Sequence, residues 1–288
     1  MIDITKFNLK KLMIIPIGIL VLSLVIVSYS VMNNTVPMSI DFKGGTLITV
    51  YDVPKDVDLK KALEDNYGLE VHITTLRDFT GSVIGESIEI AKFLTGDEKK
   101  DITDFLISKG IAEDKISVQS LSPSVSGLFI KTSIYAVIGA FIFMAIAVFL
   151  RFKTFVPSGA VILSAFSDIV TTVAVMIILS INLSLGSFVA LLLLIGYSVD
   201  TDILLTTRLL VKKEKKLEER IKSAMKTGLT MTGTTLSAMI VLYLVSTAPL
   251  LKEIAFVIII GLIVDLINTW IQNVGILQWY IEKGGRRK

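Results

Sequence analysis

Apolar residues in this chain are gathered into blocks. Blocks of about twenty residues or more run over 12–32, 127–150, 155–181, 185–211, 229–247 and 254–280. As a helix, each is long enough to cross roughly 30 Å of hydrocarbon. The first is longer than a signal-peptide core and runs into "SYSVMNNTVP" without a small-residue cleavage site, so it reads as an uncleaved span. Between the first and second blocks the pattern shortens. "TLITVYDV" alternates as a strand, and "VDLKKALEDNYG" has helical spacing closed by Gly68. "LEVHITTLR" and "ESIEIAKF" read as second and third strands. "TGDEKKDITDFLISKG" is a helix with Thr95 or Asp97 as N-cap and Gly110 beyond its end, and "KISVQSLS" is a fourth strand. The order βαββαβ is the ferredoxin-like pattern.

The expected fold class is therefore a polytopic α-helical membrane protein of six transmembrane helices, with an α+β ferredoxin-like domain between helices 1 and 2. The expected division is 1–32 for a cytoplasmic N-terminus and first span, 33–126 for the extracytoplasmic domain, and 127–288 for a five-helix membrane domain. Within the last, the spans are 127–150, 155–181, 185–211, 229–247 and 254–280. A cytoplasmic amphipathic segment covers 212–228, and a basic tail closes the chain.

Charge fixes the expected orientation. "KFNLKK", "RFKT", "RLLVKKEKKLEERIKSAMK" and "KGGRRK" are basic flanks, whereas "NNTVP", "INLSLG" and "STAPLLKE" are not. The alternation is self-consistent over six spans and places both termini in the cytoplasm and 33–126 outside. Composition then narrows the chemistry. Of 288 residues 52% are hydrophobic and the net charge is only +3, which points to membrane lipid and not to nucleic acid. There is no cysteine, which removes disulfides and thiolate metal sites, and the single His72 cannot make a multi-histidine centre. No G-x-x-x-x-G-K-[ST] loop is present to bind ATP, so no resident cofactor is expected and any energy comes from a partner or an ion gradient.

Four acids interrupt the apolar blocks: Asp168 in "SAFSDIVTT", Asp200 and Asp202 in "GYSVDTDILL", and Asp265 in "GLIVDLINTW". An ionised carboxylate at mid-membrane costs about 2.5–3.5 kcal/mol on insertion scales. Each acid could instead sit protonated, or join helices by hydrogen bonds to Thr171, Thr201, Thr206, Thr234, Thr235 or Asn268. Such bonds are worth only about 0.6 kcal/mol on average, so reversible proton or sodium traffic is the preferred role. Asp200 and Asp202 lie about 200° apart around a regular helix and cannot face one way unless Gly196 and Ser198 break its regularity. Arg208 and Lys226 read as interface anchors, with attraction to the acids as the alternative.

Four stretches resemble a known family. "IDFKGGTLI" (40–48) resembles the "DF-x-GGT" signature of the SecD/SecF protein-export family in its SecF branch. "LSPSVSGLF" (121–129) is similar to its "GPSVG" entry into the second span. "GYSVDTDILLTTR" (196–208) is similar to its "GYSV-N-D" stretch, and "TGTTLSAMIVLYL" (232–244) to its "TSGTTL" start of span five. The matches fall in order and cover nearly the whole chain, in a form closer to archaeal members. The resemblance implies an accessory that works with SecD beside the SecY/SecE translocon and draws out a translocating polypeptide using the proton or sodium gradient. It also implies a second six-span partner. The family's span-four Asp falls at Thr201, between Asp200 and Asp202. Its span-five Arg falls at about Thr227, beside Lys226, and Asp200 matches the Asp of SecD's "GVDAN". The motif residues carried over are Asp41, Phe42, Gly44, Gly45, Thr46, Gly196 and Tyr197. Gly44 and Gly45 allow a tight backbone at the domain entry, read as a turn in preference to a hinge.

The family that the chain resembles belongs to the resistance–nodulation–division superfamily, and competing readings are a small-molecule exporter of that superfamily and a translocon scaffold without energy coupling. An enzyme is the least expected class, because no nucleophile–base pair is readable. An intramembrane aspartyl protease would require Asp200 to meet Asp168 or Asp265.

Overall fold

The computed structural model describes residues 12–54, 57–69, 71–77, 82–210 and 216–284. In chain order these form α1 (Ile14–Met32), α2 (Ile40–Lys43), β1 (Gly45–Tyr51), α3 (Leu59–Tyr67), β2 (Val71–Arg77), β3 (Val83–Ile90), α4 (Gly96–Ser108), a short 3-10 turn (Glu113–Lys115) and β4 (Ile116–Leu121). The membrane part follows as α5 (Pro123–Phe152), α6 (Phe155–Ile178), α7 (Leu185–Leu210), α8 (Leu217–Val245) and α9 (Pro249–Ile267). A π-helical turn (Asn268–Asn273) carries α9 directly into α10 (Val274–Glu282).

The domain between α1 and α5 folds as its periods dictate. Thr46, Ile48 and Val50 of β1 alternate inward, and Val71, Ile88 and Ile90 join them from β2 and β3. Leu59 and Leu63 of α3 and Ile102 and Leu106 of α4 close one apolar core. All strand pairs are antiparallel, in the order β2-β3-β1-β4. Asp58 caps α3 by accepting from the Lys61 amide at 3.1 Å, and Gly68 ends it at φ 59°. For α4 the cap is Thr95, whose amide donates to Glu98 at 2.8 Å in a capping box.

Among the described residues, five helices (α1, α5, α6, α7 and α8) are long and apolar enough to cross a membrane. The chain α9–α10 carries Lys252, Glu253 and Asp265 and sits deepest, packed against α6, α7 and α8. The helix limits differ from those read along the sequence in three places. The second block begins at Pro123, because proline suits the first turn of a helix. The charged stretch expected as a separate segment over 212–228 is, from Leu217 on, the first turns of α8; residues 211–215 lie outside the described residues. The last block extends from Pro249 to Glu282, with the polar "NTWIQN" inside it as the π turn.

A tight joint fastens the domain to the membrane helices. Leu183 donates its amide to the Pro37 carbonyl at 2.8 Å and accepts from the Ser39 amide at 2.9 Å. Phe42 of α2 meets Phe188 of α7 edge-on, with ring centroids 5.1 Å apart. Gly44 and Gly45 follow at φ 78° and 132°, and a Cβ on Gly45 would run into the Ile90 carbonyl. The glycines therefore serve close packing at a fixed corner.

Candidate functional site

Three helices each bring a polar stripe to the middle of the bundle. On α6 it is Ser164, Ser167, Asp168, Thr171 and Thr172; on α7 it is Ser198, Asp202 and Thr206. On the last helix it is Asp265, Asn268, Thr269, Gln272 and Asn273. The spacings of three and four place each stripe on one helix face. The π turn coincides with the last stripe, as such turns often do at functional sites.

Asp168, Asp202 and Asp265 are each 0% exposed and meet in one network. Asp168 accepts from Ser198 Oγ at 2.5 Å and from Asn268 Nδ2 at 2.7 Å. Asp202 Oδ1 accepts from Asn273 Nδ2 at 2.6 Å. Thr269 Oγ1 lies 2.9 Å from Asp202 Oδ1 and 3.0 Å from Asp265 Oδ1. One hydroxyl carries one proton, so it serves both carboxyls fully only when one of them is protonated and donates to it. Asp265 is also within reach of Asp168 and Ser198, and Ser164 stands beside Asp202. Carboxyls this close in a dry interior cannot all be charged unless a shared proton or a bound cation offsets them. The donor set is oxygen and amide throughout, which suits a proton or a hard monovalent cation. No group of acids or histidines suited to a metal ion is found among the described residues.

The remaining candidates separate cleanly. Asp200, favoured equally with Asp202 in the sequence, is exposed on the open face of α7 with Leu193 and Gly196. The helix is regular there, and the 200° between the two acids puts one inside and the other out. Asp200 is therefore not part of the carboxyl network, which joins three of the four acids, as the 200° separation on a regular helix requires. Thr201 is buried on a different side, where its methyl would touch a Cβ placed on Gly228 of α8. Tyr197 is half-buried and accepts from Thr201 through its carbonyl at 3.4 Å. Arg208 Nη1 donates to Ser223 Oγ at 2.5 Å, tying α7 to α8 at their shared end. Lys226 and Thr234 are exposed on α8, and Thr234 spends its hydroxyl on the Met231 carbonyl. Asn268 is in the network, Ser198 was named from the sequence only as a break in helix regularity, and Thr269, Gln272 and Asn273 were not singled out. The signal was present: five polar residues at helical spacing in an apolar block.

The residues of "DFKGGT" lie at the joint. Asp41 Oδ2 accepts from the Leu185 amide at 3.0 Å, at the first turn of α7, where a carboxylate opposes the helix dipole. Thr46 Oγ1 accepts from the Leu94 amide at 3.1 Å and lies 2.7 Å from Ser120 Oγ. Nearby, Asn182 donates to Glu89 at 3.3 Å, and Ser184 donates to Glu253. Burial pushes the Glu89 carboxyl up, and the charge of His72, the Asn182 bond and Lys43 pull against it.

Comparison with known proteins agrees with this architecture. The family model for the C-terminal part of the protein export membrane proteins SecD and SecF matches residues 103–283. The protein-export membrane protein SecF of Methanolacinia petrolearia is 37% identical over 289 residues, covering 99% of this chain and 98% of that one. SecF of Methanocaldococcus jannaschii is 40% identical over 284 residues, covering 95% and 96%. Among solved structures, SecDF of Thermus thermophilus, described as a translocon-associated membrane protein, superposes with a TM-score of 0.74 at 18% identity. That match covers 96% of this chain but 39% of the SecDF chain. SecDF in its super-membrane-facing form gives 0.55 at 19% identity over 94% of this chain and 38% of that one. With full-length identity to archaeal SecF proteins and a shared fold, this chain belongs to the SecD/SecF family of protein-export membrane proteins.

Proposed function

We propose that this protein is the SecF subunit of an export accessory, and that it couples movement of protons or sodium ions through Asp168, Asp202 and Asp265 to the translocation of polypeptide. The reading includes six spans, counting Pro249–Glu282 as the sixth, with both termini cytoplasmic. It also includes a ferredoxin-like domain on the outer side, in keeping with the β2-β3-β1-β4 order. The observation that carries it is the carboxyl network itself. Three acids on three helices share Thr269, Ser198, Asn268 and Asn273, and a helix-joining role alone would not repay their burial.

One charge moved through 100 mV supplies about 2.3 kcal/mol, enough to bias a conformational equilibrium of that size. Gain or loss of a proton on the Asp202 and Asp265 carboxyls that Thr269 bridges changes which group donates and so alters the fit of α6 and α7 against the last helix. Asp41 then links the first turn of α7 to α2 and the sheet, so a shift of α7 is felt in the outer domain. SecD is the proposed partner in the membrane. Asp200, on the open face of α7, is too costly to leave against lipid, and a second membrane half would cover it. SecY/SecE and the emerging polypeptide complete the proposed assembly.

The test is export of secreted proteins in cells carrying Asp202→Asn, Asp168→Asn or Asp265→Asn, with and without collapse of the proton or sodium gradient. Each variant should lower export and remove its response to the gradient. Unchanged export with unchanged gradient dependence in all three would leave only a packing role.

A further inference from the structure

Polar and apolar groups are distributed unequally on the two sides of the carboxyl network. Toward the end of the bundle that holds Phe152, Phe155 and Leu210, buried oxygens without a hydrogen-bond partner continue past the acids. They are Thr206 Oγ1, Gln272 Oε1, Asn273 Oδ1 and Ser158 Oγ, on residues at most 3% exposed. Ser158 is ten residues from Asp168 along α6, about 15 Å. Toward the opposite end, the unpaired oxygens end at Thr172, one turn from Asp168, and buried polar groups resume at Ser184 and Ser187, beside the half-buried Glu253, near the joint. Between these, Met176, Leu191, Leu194, Val257, Ile258 and Leu262 form a buried aliphatic layer. Leu194 seats its side chain on Gly261, where a Cβ would run into it, so the α7 side chain and the α9 backbone pack without a gap there.

A buried oxygen left unpaired costs about 1–3 kcal/mol, and such groups are kept where water or an ion visits them. A layer of branched aliphatic side chains offers an ion nothing. We propose that in this conformation Asp202 exchanges its coupling cation with the cytoplasmic side along Ser158, Ser164, Thr206 and Gln272, the exit path of a cation driven inward, while the layer around Leu194 and Gly261 is the closed outer gate. The side assignment rests on the orientation proposed above from the basic flanks.

The chain has no cysteine, so single thiols can be placed without background. Silver ion serves as a thiol-reactive monovalent cation. It would be applied to the full-length protein with its native partners in right-side-out and inverted vesicles. Protection of the thiol from later alkylation under denaturing conditions gives the reaction rate. Ser164→Cys and Thr206→Cys are near-isosteric and should react from the cytoplasmic face. Met176→Cys and Leu191→Cys should be slower from either face by about tenfold or more, as a barrier of 1.4 kcal/mol or above requires. Leu194→Ala should open reaction of Thr206→Cys from the outer face.

Equal rates at all four positions, silence at Ser164→Cys and Thr206→Cys, or reaction of these two only from the outer face would overturn the path. No gain of outer access in Leu194→Ala would overturn the gate. Labelling needs no export, so the two proposals fail separately. An asymmetric pattern with normal gradient response in Asp202→Asn would sink the coupling and leave the path standing.

Discussion

The two parts of this chain bury opposite things. The α/β domain hides Ile48, Leu63, Ile88 and Leu106 and exposes Lys60, Lys61, Lys92 and Lys100. The membrane bundle hides Asp168, Asp202, Asp265, Asn268, Thr269, Gln272 and Asn273 and exposes Ile14, Tyr135, Phe143 and Phe155. The difference lies in the surroundings. Water drives aliphatic side chains together in the domain. Lipid is as apolar as leucine, so packing and polar contacts hold the helices instead. A polar core adds little stability there, and its retention argues for function.

The comparison breaks most sharply on exchanges made in opposite directions. Ile88→Asp puts an unpaired charge into the domain core and should unfold the domain, seen as loss of slow hydrogen exchange in the β1 and β3 amides of the full-length protein. Asp202→Leu should leave helix content and membrane insertion intact while export falls. If Asp202→Leu instead dismantles the bundle, the polar core is structural.

Cavity formation is the next largest effect. Leu63→Ala should destabilise the domain by about 2–5 kcal/mol, whereas Phe143→Ala on the exposed side of α5 should change bundle stability by less than about 1 kcal/mol. Denaturant titration of each variant, followed by exchange, separates the two. At the joint, Gly45→Ala forces a side chain onto the Ile90 carbonyl at a φ of 132° and should cost about 1–3 kcal/mol. Limited proteolysis between α1 and β1 reads that loosening; if the cleavage rate is unchanged, the corner is not rigid.

The smallest effect is a pH dependence of docking. Burial raises Glu89 above its ordinary 4.5, so the docked form binds its proton more tightly than the free form. That contribution is complete below about pH 4.5 and is lost as pH rises through the raised value. Exchange at the Ser39 and Leu183 amides should quicken over that window beyond the intrinsic pH effect. Glu89→Gln should flatten the response, and a Gln variant that keeps the full response would move its origin elsewhere.

Much of this was legible along the chain. Block length marked the membrane helices, and the alternation between blocks marked four strands and two helices. Caps at Asp58, Thr95 and Gly68 follow from local chemistry, because a cap is settled within a few residues. The polar stripes were also local, although "NTWIQN" reads as a fraying end until its spacing is compared with that of "SAFSDIVTT". Sequence likewise determined that Asp200 and Asp202 face different ways, since helix pitch alone requires it.

Tertiary structure decided which of the two faces inward. That choice depends on the rotation of α7 against α6 and the last helix, which the packing of Leu194 on Gly261 and of Thr201 by Gly228 settles and no local period encodes. It also decided that Thr269 would stand between two carboxyls, that Asp41 would cap a helix 144 residues away, and that the unpaired oxygens would extend much farther on one side of the acids than on the other. These are relations between distant segments, and they exist only once the helices have been set against one another.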